Sequence, residues 1–118
     1  MLGGAMRQAG LVAAAGLFAL QNHLPLLKED HRRARDLARG LSDLSGIEVM
    51  NPEPSSNMVY LKLTEDLPFD AADIKRKLKE KGILIGYENI RLIRLVTHLW
   101  IQDKDIPSVV QEFKDVLI

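Results

Sequence analysis

The sequence predicts an α+β (α/β) domain: a small, mostly antiparallel sheet with helices packed on one face, preceded by a long apolar helix. Three observations carry this. Residues 9–20 (AGLVAAAGLFAL) are unbroken apolar sequence. Residues 57–63 alternate Val59, Leu61 and Leu63 against Met58, Tyr60 and Lys62, the period-two signature of a half-buried strand. The predicted elements run helix, helix, strand, strand, helix, strand, strand, helix, and paired strands of this kind favour antiparallel neighbours.

The first helix is expected over residues 5–22. It is apolar on every side, as a helix is when other elements cover all of it, and its alanines allow close backbone approach. Pro25 marks a break or the first turn of a second helix, because proline lacks the N–H that a helix interior needs. In that helix Leu27, His31, Ala34, Leu37, Ala38, Leu41 and Leu44 recur at spacings of three and four, with Gly46 as a cap. A short strand at 47–50 and the turn-rich stretch NPEPSS follow, then the strand at 57–63. Asp70 caps a helix whose apolar stripe is Ala71, Ile74 and Leu78 and which Gly82 ends. Residues 83–85 and 90–97 read as two strands joined across Gly86-Tyr87-Glu88-Asn89, and residues 103–117 as the last helix, with Pro107 tolerated in its first turn.

Composition narrows the function. At 118 residues and 47% hydrophobic content the chain suits one domain, and 16 Lys and Arg against 16 Asp and Glu leave no field to attract nucleic acid or anionic lipid. The absence of cysteine excludes a disulfide framework and thiol chemistry and favours a reducing, cytoplasmic setting. The apolar run at 9–20 falls short of the roughly 20 residues that span a bilayer and lacks a small-x-small cleavage site, so neither a membrane span nor a signal peptide is expected. The histidines His23, His31 and His98 share no short metal-ligand spacing, so no metal is expected. Glu29, Asp30 and Asp36 interleave with Arg32, Arg33, Arg35 and Arg39, which reads as a solvated helix face. No nucleophile elbow or paired-carboxylate pattern supports a hydrolase.

Arg94 is the residue most able to carry chemistry. Alternation puts it on one strand face with Leu92, Val96 and then His98, opposite Arg91, Ile93, Leu95 and Thr97, and mostly apolar residues on both sides imply cover on both. A guanidinium there needs an anion, since it cannot shed its charge. Its planar fork suits a carboxylate, either an acid of this chain or a ligand. Arg91 has the same two readings. The second candidate is Gly3-Gly4-Ala5-Met6-Arg7-Gln8-Ala9-Gly10, where a small-residue turn feeds a helix start and Arg7 adds charge for an anion. His98 and Asn57, each at a strand end, are candidate neighbours of the site, though a histidine so placed commonly makes an ordinary backbone hydrogen bond.

Two stretches at opposite ends of the chain resemble one family. MLGGAMRQAG, running on into LVAAAGLFAL, is similar to the Gly-Gly-Gly-Met-Arg-Gln segment of pyridoxal-phosphate-dependent threonine aldolases, and Arg94-Leu95-Val96-Thr97-His98 resembles their Arg-x-Val-Thr-His strand. The spacing and order of elements between the motifs agree as well. The resemblance implies the C-terminal portion of a fold-type-I enzyme: residues 1–24 as a connecting helix and 25–118 as the small domain, with the large cofactor-binding domain absent. It implies retro-aldol cleavage of L-threonine or L-allo-threonine to glycine and acetaldehyde, a small amino-acid substrate and a homo-oligomer, dimer or tetramer. By similarity Arg94 would hold the substrate α-carboxylate and Arg7 would lie near the cofactor phosphate.

This chain departs from the family pattern at Ala5, where a third glycine is common, and at Trp100, where an aspartate is usual. In the family the Schiff-base lysine and most phosphate ligands precede the glycine motif. The lysines here (Lys28, Lys62, Lys75, Lys77, Lys79, Lys81, Lys104 and Lys114) fall on polar helix faces or, for Lys62, in a strand. No catalytic residue is therefore expected in this chain, nor aldolase activity from it alone, as for a truncated product, an excised domain or an incompletely read gene. The alternative is a non-enzymatic α/β module that keeps Arg94 as an anion or interaction site.

Overall fold

The structure, a computed structural model, describes residues 6–118, so the turn Gly3-Gly4-Ala5 lies outside the described residues. Helix α1 is Ala9–Asn22, entered through Gln8 in the left-handed region at φ 54°. None of its residues is buried, which corrects the expectation of a core helix. The reason is physical: among the described residues only the adjoining turn makes substantial contact with it, and Leu11, Val12, Leu17, Phe18 and Leu20 all face outward. After a 3₁₀ turn at Leu24–Leu26, with Pro25 in its first positions, the axis bends by 52°. The projecting helix raises the radius of gyration to 17.5 Å, against about 13.5 Å for a compact chain of this length. No single helix among the described residues is long and apolar enough to cross a membrane.

Helix α2, Leu27–Ser42, buries Ala34, Leu37, Ala38 and Leu41, the middle of the stripe predicted from spacing, while His31 and Leu44 are only partly buried and Leu27, at the helix start, is exposed. Glu29 and Asp30 in its first turn and Arg39 in its last complement the helix dipole. It runs close to α4, Asp105–Leu117: a Cβ at Gly40 would lie 2.7 Å from a Val110 methyl, so glycine permits this approach. Beyond α2, Gly46 takes φ 89° to turn the chain into β1, Ile47–Val49.

Strands β2 (Met58–Leu63), β3 (Gly86–Asn89) and β4 (Leu92–Val96) join β1 in an antiparallel sheet of order β1-β2-β4-β3. Val59, Leu61 and Leu63 pack with Ile47, Ile93 and Leu95 into one core under the helices. The antiparallel sheet with helices on one face is the predicted fold. The last hairpin is offset from its predicted position. Gly86-Tyr87-Glu88-Asn89 is itself a strand, and the turn is Ile90-Arg91, where the Asn89 side-chain carbonyl accepts the Arg91 N–H at 2.9 Å. Residues 83–85 form no strand and tuck Ile85 into the core as loop. Local apolarity located the core-facing residue but could not choose between strand and loop.

Helix α3, Ala71–Glu80, opens on a capping box. Asp70 accepts the Asp73 N–H at 2.9 Å, while the Asp73 side chain accepts the Asp70 N–H. It closes with Gly82 at φ 80°, whose N–H meets Lys79 O at 3.0 Å as Ile83 N–H meets Leu78 O at 2.9 Å, a Schellman arrangement.

The segment before α4 is clipped to α2 by one carboxylate. Asp103 Oδ1 accepts from Arg32 at 2.6 Å and Arg33 at 2.8 Å, while Arg32 also holds Glu29 and Asp36. The charged face of α2 is therefore only partly the solvated face that the sequence implied, since Asp30 is buried and Arg33 mostly covered. The Arg33 and then the Arg32 hydrogen bonds hold the Asp103 carboxyl below the usual aspartate range. A carboxyl lowered in the folded state stabilises it above its unfolded pKa and stops doing so as pH falls through the folded value. Asp103→Asn is therefore expected to shift the urea midpoint down at pH 7, and the gap from wild type should close below about pH 4. A gap that persists unchanged in acid would contradict this origin.

Candidate functional site

Strand β4 positions Arg94. Its register sets Tyr60 of β2 on one side and Gly86 of β3 on the other, so the three share a face. Ile93, Leu95 and Thr97 point the other way, into the core. Among the described residues no element covers the Arg94 face, where Val96, Met50 and Lys62 are exposed. This corrects the expectation of a strand covered on both sides: the apolar residues at Leu92 and Val96 leave a surface open instead of entering a second core. Around Arg94 that surface carries Tyr60, whose hydroxyl lies 3.5 Å from the Met58 sulfur, and Glu88.

Glu88 supplies the anion in this chain. Its carboxylate lies 2.9 Å from Arg94 Nη1, with the two side chains 43% and 44% exposed in the order Arg94, Glu88. The inner edge of the guanidinium is different. Nε is buried without a hydrogen-bond partner among the described residues, and the side chain lies along Gly86, where a Cβ would come within 3.7 Å of Nη2 and 3.8 Å of Nε. The geometry is a half-exposed cation with a fixed stem, suited to receive a small carboxylate.

The other candidates fall elsewhere. Arg91 caps a loop: its Nη1 donates to the carbonyls of Thr64, Leu67 and Phe69 at 3.2 to 3.3 Å. Thr97 is buried and donates to Asp30 O at 2.7 Å, tying β4 to α2. Asn57 donates to Thr97 O at 2.7 Å, and the Thr97 N–H returns to Asn57 O, so Asn57 extends the β2–β4 ladder. His98 accepts the Trp100 N–H at 3.3 Å and packs edge-on against the Trp100 ring. It lines a cavity of about 440 Å³ with Leu95, Ile106, Lys81 and Glu112 that does not include Arg94. Arg7 is exposed in the turn ahead of α1. Asp105, at the start of α4, accepts the Gln102 N–H at 2.7 Å.

Sequence reasoning missed Tyr60, Gly86 and Glu88 as neighbours of Arg94. Alternation in β2 already put Tyr60 on the uncovered face, but only strand order brings it beside β4. Among the described residues no group of His, Asp and Glu could hold a metal ion.

The fold is shared with solved enzymes of pyridoxal-phosphate fold type I. The cystine C-S lyase C-DES, in complex with its product cysteine persulfide, superposes with a TM-score of 0.72 at 24% identity, over 91% of this chain and 28% of that one. Glycine decarboxylase (P-protein) of the glycine cleavage system does so with a TM-score of 0.66 at 21% identity, over 77% and 21%. The class is thus an α+β fold shared with those enzymes, with an arginine on its open sheet face. Residues 1–64 match the beta-eliminating lyase family, and the chain belongs to that family.

Among curated relatives it is 36% identical over 117 residues to low-specificity L-threonine aldolase 1 of Arabidopsis thaliana and 35% identical over 117 residues to low specificity L-threonine aldolase of Escherichia coli K12. In both, the alignment takes in 99% of this chain and 33% of the relative, so the chain spans about a third of their length.

Proposed function

We propose that this chain is the substrate-carboxylate-binding part of a pyridoxal-phosphate-dependent aldolase that cleaves L-threonine or L-allo-threonine to glycine and acetaldehyde. The observation that carries the reading is Arg94 on the open sheet face, its stem fixed against Gly86 and its outer edge within reach of a carboxylate. Residues 25–118 act as the small domain and residues 1–24 as the connection to a large domain, against which the apolar surface of α1 would pack. The complete enzyme would be a homo-oligomer.

The residues of this chain fit the substrate end of such a site and not the cofactor. A covalent lysine must be screened from water beside the substrate arginine, yet none of the lysines is buried. Lys62, the one on the Arg94 face, sits opposite Leu92 at the far end of the β2–β4 pairing and is exposed. Arg7, the proposed phosphate-side charge, lies in an exposed turn. Pyridoxal phosphate, when bound to the complete enzyme, supplies the electron sink for Cα–Cβ cleavage. The part this chain contributes is orientation: two donors on a fixed arginine hold the α-carboxylate, which sets the direction of the bond to be broken.

The purified chain, mixed with pyridoxal phosphate and L-threonine, should form no borohydride-fixed cofactor adduct and release no glycine above the cofactor-only control. Glycine release by the chain alone would refute its catalytic incompleteness.

A further inference from the structure

We propose that Glu88 is a built-in competitor for the substrate carboxylate: among the described residues it sits on the end of Arg94 that remains open to a ligand, and it must be displaced for binding. This rests on the reading of Arg94 as a carboxylate site and adds a residue that sets its affinity. Three observations converge on it.

First, the β3–β4 register slips between Tyr87 and Asn89, since Tyr87 faces Ile93 and Asn89 faces Leu92. Glu88 is the extra residue, and an irregularity of this kind re-aims the side chain it frees. Second, a guanidinium can grip a carboxylate through its Nε–Nη2 side or its Nη1–Nη2 end. Burial of Nε against the Gly86 strand closes the first, leaving the end on which Glu88 already sits. Third, both partners are close to half exposed, so the pair is screened by water and weak enough to open.

Glu88 thus holds the guanidinium aimed outward while no substrate is present, and it discourages stray anions that bring one weak contact. An amino acid that makes further contacts elsewhere overcomes it. Glu88 acts through Arg94 and is a positioning residue.

The test is a titration of the chain with acetate, exchanged against chloride at constant ionic strength, read at the Arg94 Nε–H resonance in wild type, Glu88→Gln and Glu88→Asp. Glu88→Gln should move the ligand-free Arg94 resonance and tighten acetate binding by about two- to fivefold, the range expected for loss of one exposed ion pair. Glu88→Asp should restore the wild-type affinity in part. A merely structural Glu88 would leave acetate binding unchanged or weaken it on substitution, and either result overturns the proposal while Arg94 keeps its role. No saturable shift at Arg94 in any of the three proteins overturns the carboxylate site itself, and the competitor with it.

Discussion

Arg94→Gln should lower the affinity of this chain for glycine by about one to two orders of magnitude. The loss follows from removing a charge-assisted grip worth about 1.5–3 kcal/mol in all for a partly exposed pair. Glutamine keeps some length and one amide donor pair but neither the charge nor the planar fork. The fold should not suffer. The Arg94 side chain is only partly covered, its ion pair with Glu88 is exposed, and its core-side neighbours Ile93 and Leu95 are unaffected. Glycine titration by NMR should therefore lose saturable shifts around Arg94 while the far-UV spectrum and urea midpoint stay near wild type. Equal glycine binding by the variant would remove Arg94 from the site. Arg91→Gln offers the contrast: its guanidinium holds three loop carbonyls, so stability and not binding should respond.

Phe113→Ala is expected to be the most destabilising single change, at about 3–5 kcal/mol. Phe113 is the largest of the fully buried side chains and lies on α4, which packs against both α2 and α3. Truncation leaves a void in a core that Gly40 and Val110 already hold at close quarters, so collapse around it is restricted. A chain of 118 residues has a total stability of roughly 6–18 kcal/mol at the usual density per residue. The variant should thus lose a large share of it. Urea unfolding followed by tryptophan fluorescence and circular dichroism should show the midpoint falling sharply with the slope unchanged. A shift no larger than that of an exposed substitution would mean that α4 is not integral to the core.

The register of apolar residues carried most of the fold. Ala34, Leu37, Ala38 and Leu41 in α2, Ala71, Ile74 and Leu78 in α3, and Val59, Leu61 and Leu63 in β2 are buried as spacing predicted, because burial on one side imposes periods of 3.6 and 2 on any sequence that achieves it. The capping box at Asp70 and the left-handed Gly82 were equally local, each following from a few neighbouring backbone groups. The last hairpin was not. Residues 83–97 hold more apolar sequence than two strands need, and only the place of β4 between β2 and Gly86–Asn89 made that segment the edge strand and left Ile83–Ile85 a loop.

The same division runs through the site. That Arg94 needs an anion is a property of its charge and its place in an apolar strand, and the motif around it was visible in the sequence together with the glycine-rich start. Which anion, and on which edge, was not visible: Glu88 reaches Arg94 through a slip in strand register, and Gly86 lies beneath the guanidinium through cross-strand pairing. α1 shows the converse. Its sequence states that it should be covered, but a sequence cannot say by what, and among the described residues none buries it. Local chemistry therefore determined the elements, their buried faces and the need for a carboxylate partner. The tertiary structure alone decided which face of the sheet stays open and which acid meets Arg94, because contacts between distant residues depend on strand order and register, which no local pattern encodes.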